Sequence, residues 1–383
     1  MLSKRPGLLA SILLLLLLTG CWDRRELNDS LFELGSGVDL LEDGTILVIG
    51  QFMVPTKSGE AGGGLKKPFL IETGVGKTAP DCFWDMQLKL SRRITRGHRN
   101  NIFYGEAMVK AGLSNFMDTV TRDPDSRLKS DIWVVKGGTA LEFMQMSYPL
   151  ENMPSIALSK IRHVIGKTTG NSLLELLVEQ NVEGSGPTLP AVEIRYDPKL
   201  RKKSLQVYGR AILNRNQQLA GYLNRIESAY RLWITGETVR IPITVDLPNG
   251  RGRFNTEVNQ LHASIRSAVK ADRVEIDVDL KGSGVVLESQ PAVDLRNPDD
   301  LRAFEDEMNR HIEKKQLGII QKAQKQFKVD VFHFGQAVSR QNPKAWAQLN
   351  DHWEQVFSDA KVTVHSRVRI KRIGLQGPPL NKP

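Results

Sequence analysis

The sequence predicts a mixed α/β (α+β) protein of several domains, with mostly antiparallel sheets packed by helices. Three observations predict it. Residues 273–281 alternate strictly, Val274, Ile276, Val278 and Leu280 facing one way and Glu275, Asp277 and Asp279 the other, as a half-buried strand requires. Residues 298–327 instead step by three or four, so that Leu301, Phe304, Met308, Ile312, Ile319, Ala323 and Phe327 share one helical face. Short apolar runs elsewhere are broken by turn residues such as Glu42-Asp43-Gly44 and Pro248-Asn249-Gly250. Hydrophobic residues at 40% and charged residues at 25% of 383 are globular values, so most of the chain should fold around a sizeable core.

The chain opens with Lys4 and Arg5, then an apolar run over residues 8–18 ending in six leucines, then the small residues Thr19 and Gly20, and then Cys21. A charged start, an apolar stretch and small residues are the grammar of a secretory leader. The run is shorter than the roughly 20 apolar residues a retained bilayer helix needs. Leu18-Thr19-Gly20-Cys21 resembles a bacterial lipobox, in which the cysteine thiol takes a diacylglycerol and becomes the new N-terminus after residues 1–20 are removed. Two or more long acyl chains hold a protein at a membrane durably where one barely does. Trp22 and Asp23 then sit where they can orient the folded domains at the bilayer. The formal net charge is +10, and the chain stays basic without its leader. An exported, anchored, basic protein meets anionic lipid or wall polymer first, so a membrane neighbour is expected and nucleic acid is not.

The elements follow in order. Residues 31–54 read as two strands and a hairpin about Glu42-Asp43-Gly44. Residues 56–68 have the Gly- and Lys-rich composition of a loop, and residues 69–75 are a further apolar run. Phe83, Met86, Leu90 and Ile94 recur at helical spacing, with Lys89, Arg92, Arg93 and Arg96 on the wetter sides, as a solvated basic face or an acidic-lipid contact. Cys82, at the start of that segment, reads as a small buried thiol. Residues 101–104 and 132–135 are strand-like, while 107–110 and 116–120 are helical; two helices flank Pro149 and Pro154 between residues 142 and 165. Ser172 with Glu175 has capping-box spacing before a leucine-rich helix. The polar stretch 197–203 suggests a domain boundary, giving an N-terminal α/β region over 22–200, as one domain or two subdomains, and a C-terminal α/β domain over 205–375.

In the second region, strands are expected over 205–213, 239–245, 273–281 and 361–373. Asn297-Pro298-Asp299-Asp300 supplies an amide cap, a proline without a wasted N–H and carboxylates at the positive end of a long helix. Asn342-Pro343 repeats that start before Trp346, Leu349, Trp353 and Phe357, which form one core stripe. The closing strand sets Val362, Val364, Val368 and Ile370 against His365, Arg367, Arg369 and Lys371, a basic face that is either solvated or turned to a partner or lipid. Residues 376–383 are a tail.

Catalytic chemistry finds no constellation. Gly76-Lys77-Thr78 imitates the end of a phosphate loop, but Ile71 stands where its first glycine belongs. The seven histidines show no zinc spacing, and Gly184-Ser185-Gly186 and Gly282-Ser283-Gly284 lack the register of a nucleophile elbow. Glu275, Asp277 and Asp279 read as a wet strand face, not a cation loop. No metal, cofactor or catalytic residue is assigned.

Cys21-Trp22-Asp23-Arg24-Arg25-Glu26-Leu27-Asn28 with Gly35-Ser36-Gly37-Val38-Asp39 resembles the N-terminal signature of the Ger(x)C family. Gly105-Glu106-Ala107, Arg122-Asp123-Pro124, Gly209-Arg210-Ala211 with Gly221, Phe334-Gly335, Pro343-Lys344-Ala345-Trp346, Trp353 and the closing Val-x-Val pattern extend the resemblance over residues 20–375. The resemblance implies a lipoprotein C subunit of a spore nutrient germinant receptor, a mixed α/β ectodomain with covalent lipid on Cys21. It implies a place on the outer face of the spore inner membrane beside A-type and B-type integral membrane subunits, and work in assembly and signalling instead of catalysis. Two other classes remain open: a solute-binding lipoprotein of a membrane importer, which needs a cleft between two similar lobes, and an anchored hydrolase.

Overall fold

A computed structural model describes residues 27–53, 69–151, 153–165, 171–238, 240–248, 252–270, 273–289 and 294–373. Cys21, Trp22, Asp23, the leader, the glycine-rich loop and the tail lie outside the described residues.

Strands β1 (Ser30–Leu40) and β2 (Ile46–Met53) form the expected antiparallel hairpin. Asp43 accepts from both the backbone N–H and the hydroxyl of Thr45, and Gly44 takes the positive φ the turn needs. β3 (Phe69–Gly76) pairs with β2, and helix α1 (Ala79–Gln87) starts at a Thr78–Asp81 capping box. The sequence periodicity carries this helix on through Leu90 and Ile94, but it stops at Gln87. The Gln87 amide donates to Leu90 O at 3.3 Å and Arg92 O at 2.9 Å, and accepts from Ile94 N at 3.0 Å. Those bonds turn the chain into the short strand β4 (Arg93–Thr95), which lies parallel to the start of β1.

There follow β5 (Asn101–Gly105), α2 (Glu106–Ala111), α3 (Ser114–Arg122), β6 (Asp131–Val135), α4 (Ala140–Gln145) and α5 (Pro154–Ile165). Next come β7 (Asn171–Ser172), α6 (Leu173–Glu179), β8 (Thr188–Asp197), β9 (Lys202–Leu213) and β10 (Leu219–Asn224). The Ser172–Glu175 capping box forms as its spacing requires. These strands make a ten-stranded sheet ordered β10-β9-β8-β6-β5-β1-β2-β3, with β4 on β1 and β7 on β6. Its centre, β1-β5-β6-β8, is parallel and its flanks are antiparallel. A parallel centre must be covered on both faces. One core, around Met86, Val109, Phe116 and Leu176, lies under α1, α2, α3 and α6; another, around Phe103, Trp133 and Phe143, lies under α4 and α5. Residues 198–201, within the polar stretch that suggests a boundary, form the turn of the β8–β9 hairpin, and both strands stay in the first sheet.

Helix α7 (Arg225–Ile234) leads to a second sheet of β11 (Arg240–Asp246), β12 (Arg253–Lys270), β13 (Arg273–Ser289) and, from the far end of the chain, β14 (Lys361–Arg372). Val274, Ile276, Val278 and Leu280 are buried, as their alternation predicts. Helix α8 (Pro298–Lys322) begins at Asn297, whose side chain accepts from Asp299 N at 2.9 Å, and runs on through a π turn at Ala323–Phe327. It packs its Phe304, Met308 and Ile312 on this sheet. Helices α9 (Phe334–Gln341), α10 (Pro343–Leu349) and α11 (Trp353–Asp359) complete the layer. Trp346, Leu349, Trp353 and Phe357 are all buried, but on two short helices joined by a 3-10 turn instead of one. Asn342 does not cap with its side chain, which donates to the O and Oγ of Ser267 on β12 at 3.2 and 3.0 Å.

Helix side chains finish the strand edges. On β14, Ser366 N, Val368 N and Ile370 N donate to Glu313, Asn309 and Glu305 of α8 at 2.8, 2.8 and 2.7 Å. Four helical residues advance about 6 Å and two strand residues about 6.6 Å, so the two rows stay in step. On β3, Val75 N donates to Asp85 of α1 and Thr73 O accepts from Lys89, two residues beyond the end of that helix. We predict that Asn309→Ala, which strands Val368 N–H and the Ser366 hydroxyl at the covered edge, lowers unfolding free energy by about 1–3 kcal/mol. In urea titrations the midpoint should fall with the slope unchanged, whereas Asn255→Ala on the open face should shift stability by less than about 0.5 kcal/mol.

Candidate partner surfaces and the buried junction

The two sheets meet at a fully buried arginine. Arg231 of α7 donates Nε to Val331 O at 2.8 Å, Nη2 to Glu179 of α6 at 2.6 Å, and Nη1 to Glu237. Glu179 also accepts from Asn171, and the buried Arg210 of β9 donates to the hydroxyl and carbonyl of Thr188 beside it. Two arginines and two carboxylates thus balance here, with both arginines and Glu179 buried and Glu237 partly exposed. Burial opposes the charge on Glu237, but Arg231 and Arg210 outweigh it and hold its carboxyl at about 2; burial dominates for Glu179 and pushes it up. Below them Asp330, also buried, accepts from Phe332 N, Gly335 N and Trp353 Nε1, while its own carbonyl accepts from Gly186 N and the Ser185 hydroxyl. Gly335 lies so close that an added Cβ would stand 2.8 Å from Glu183 O. This cluster ties the two sheets together, with Arg210 Nη1 and His333 Nε2 left without a hydrogen-bond partner among the described residues.

Two surfaces remain open. On the second sheet, His365, Arg367, Arg369 and Lys371 are all exposed along β14, as the alternation predicts. Their charge is only partly available. Arg367 and Arg266 share Asp279 at 3.1 and 2.8 Å, and Arg369 meets Glu305 at 2.5 Å. Glu275 pairs with Lys270, and among the described residues no group of three metal-ligating side chains gathers anywhere.

The other surface is a shallow groove of about 430 Å³ between α1 and α3, walled by Phe83, Trp84 and Val120 and rimmed by Arg96 and Arg122. The Arg96 guanidinium stacks 4.3 Å above Phe83 and pairs with Asp123 at 3.0 Å. Arg99 at its floor donates to Ser36 and Ser126. Cys82 lies beneath, its thiol buried, pushed up to about 11 by that burial, and donating to Ile46 O. Cys21, expected from the sequence to carry lipid, and Trp22 and Asp23, expected to orient the domains at a bilayer, lie outside the described residues. Sequence reasoning missed the junction; an arginine amid Ala229, Tyr230, Leu232 and Trp233 was its one signal.

A family model for the spore germination protein N-terminal domain matches residues 23–194, and one described as spore germination B3/GerAC like, C-terminal, matches residues 208–374. The chain belongs to this GerAC-like family. Its Bacillus subtilis (strain 168) relatives include the putative spore germination protein YfkR, 27% identical over 95% of each chain, and spore germination protein KC, 24% identical over 98% of each. Spore germination protein B3 of the same organism is 22% identical over 95% of this chain and 96% of its own. The solved structure titled as that of the GerBC protein shares the fold, with a TM-score of 0.59 and 16% identity over 88% of this chain and 97% of that one. The role of this GerAC-like chain lies in spore germination. Among the described residues no helix is long and apolar enough to cross a membrane.

The junction predicts a pH profile. Burial and the charge of Arg231 depress His333 to about 4, so the folded protein keeps it neutral while the unfolded chain takes up a proton near 6.5. Stability from this site is full above 6.5 and is lost as pH falls from there to 4, by at most about 3 kcal/mol. Glu237 extends the loss as pH falls from its ordinary 4.5 towards 2. His333→Asn, which keeps a residue tolerant of the φ of 65° found there, should flatten the slope between pH 6.5 and 4 in urea midpoints and leave the lower limb. Arg231→Met should cost about 3–5 kcal/mol at pH 7, because Glu179 and Glu237 lose their buried partner.

Proposed function

We propose that this chain is the lipid-anchored C subunit of a spore nutrient germinant receptor. An acyl group on Cys21 holds it at the outer face of the inner membrane, beside A-type and B-type integral membrane subunits, where it works in assembly and signalling. The match of both family domains along the chain, behind a lipobox-like Leu18-Thr19-Gly20-Cys21, carries this reading. Anchoring raises the effective concentration of the folded body beside its neighbours, so each contact can be weak. The exposed basic strip of β14, with His365 and Lys371 in no ion pair among the described residues, suits an acidic segment of such a neighbour.

The fold speaks against the importer alternative. A solute-binding lipoprotein closes two similar lobes about a cleft, whereas here a ten-stranded and a four-stranded sheet of different topology are joined through the ion pairs of the buried Arg231. For a hydrolase, the sequence carries neither the register of a nucleophile elbow nor a zinc spacing.

Cys21→Ala should move the protein from the membrane fraction to the soluble fraction of disrupted spores and abolish nutrient-triggered germination. Germination at the wild-type rate with the protein soluble would overturn the assignment.

A further inference from the structure

Helix α1 and the two residues that follow it, Leu88 and Lys89, carry three stripes, and the fold uses two. Ala79, Cys82 and Met86 are buried in the core of the first sheet. Asp85 and Lys89 finish the edge of β3 and pair with each other at 2.8 Å. The third stripe, Trp84 and Leu88, points outward, 68% and 70% exposed. Four and five residues beyond Leu88 come Arg92 and Arg93, both exposed and in no ion pair among the described residues, with Arg92 O held against α1 by the Gln87 amide. Two large apolar side chains four residues apart, followed by two arginines in no ion pair, are thus left exposed among the described residues.

The topology places this stripe by the entry of the chain. β4 pairs Arg93, Ile94 and Thr95 with Ser30, Leu31 and Phe32, the first residues of β1. Cys21 lies six residues before Leu27, where the described chain begins, so it is within roughly 20 Å of that point at full extension.

We propose that the outer face of α1 and the turn that follows form a membrane-docking surface, Trp84 and Leu88 entering the interface of an anionic bilayer and Arg92 and Arg93 meeting lipid phosphates. Large amphipathic rings favour the headgroup boundary, and each arginine near an anionic surface strengthens binding by a factor of about five. The choice of a bilayer as occupant rests on the anchor at Cys21. Docking would fix one face of the first sheet's helical layer towards the membrane.

The test separates docking from anchoring. The chain from position 21, carrying Cys21→Ser and containing every described element, is floated with vesicles of phosphatidylcholine alone or mixed with phosphatidylglycerol. It should float with the anionic vesicles and be released by salt. The pair Trp84→Ser with Leu88→Ser and the pair Arg92→Ser with Arg93→Ser should each lower the bound fraction at least fivefold. Leu174→Ser with Val178→Ser, on the outer face of α6 near β7 and β8, should leave it unchanged. No flotation with anionic vesicles, equal flotation with neutral ones, or equal loss from the α6 pair would overturn the proposal. Urea midpoints of all variants should match the parent, since every replaced side chain is exposed. Because no acyl group is present, failure here leaves the fractionation of Cys21→Ala to decide the anchor separately.

Discussion

An unpaired strand edge presents a row of N–H and C=O groups that must find partners or leave the sheet open to another chain. That constraint places the helices of this protein. Helix α8 answers it twice: Glu305, Asn309 and Glu313 complete β14, and at the other end Lys322 reaches Tyr222 O at the outer strand β10 of the first sheet. One long helix is thereby tied to an edge of each sheet. The second half of β12, beyond the reach of β11, is completed by Trp233, Gln341 and Asn342, which bond to His262, Ile265 and Ser267. Helix α1 does the same for β3, and because Asp85 and Lys89 are taken up there, Trp84 and Leu88 are left to face outward.

Edges alone would leave two sheets hinged about α8. The junction at Arg231 removes that freedom. Its guanidinium bonds simultaneously to α6 of the first sheet, to Glu237 at the approach to the second, and to the backbone before α9. A buried pair of this kind contributes little net stability against an apolar alternative, yet is costly to break from one side. It therefore favours one arrangement over nearby ones.

What was legible in the sequence was local. The Ser172–Glu175 and Asn297–Asp299 caps, the Glu42-Asp43-Gly44 turn and the alternation of β13 depend on residues a few positions apart, and all formed as read. The failures came where distant partners decided. Ile94 fits a helical period, but Gln87 folds the chain back so that it pairs with β1; Asn342 is a sound cap by type, but Ser267 competes for its amide. β12 escaped notice because from Gln260 onward its face is only half covered, so its side chains carry a weak alternation. Of the candidate site, the exposed β14 cations were readable by period, while their partial neutralisation by Asp279 and Glu305 depended on other elements. Arg231 stood out only as a charge in an apolar run, and two of its three partners, Glu179 and Val331, lie 52 and 100 residues away.

Family membership and the welded two-sheet body agree with a scaffold-like part in germination, and the proposed receptor assembly is what most needs a direct measurement. Crosslinking with mass spectrometry on intact spore inner membranes carrying the wild-type chain would supply it. The account predicts links from this chain to polytopic A-type or B-type subunits, with lysines of the second sheet and its helices, Lys371 among them, represented. Links confined to an importer permease, with none to such subunits, would contradict it.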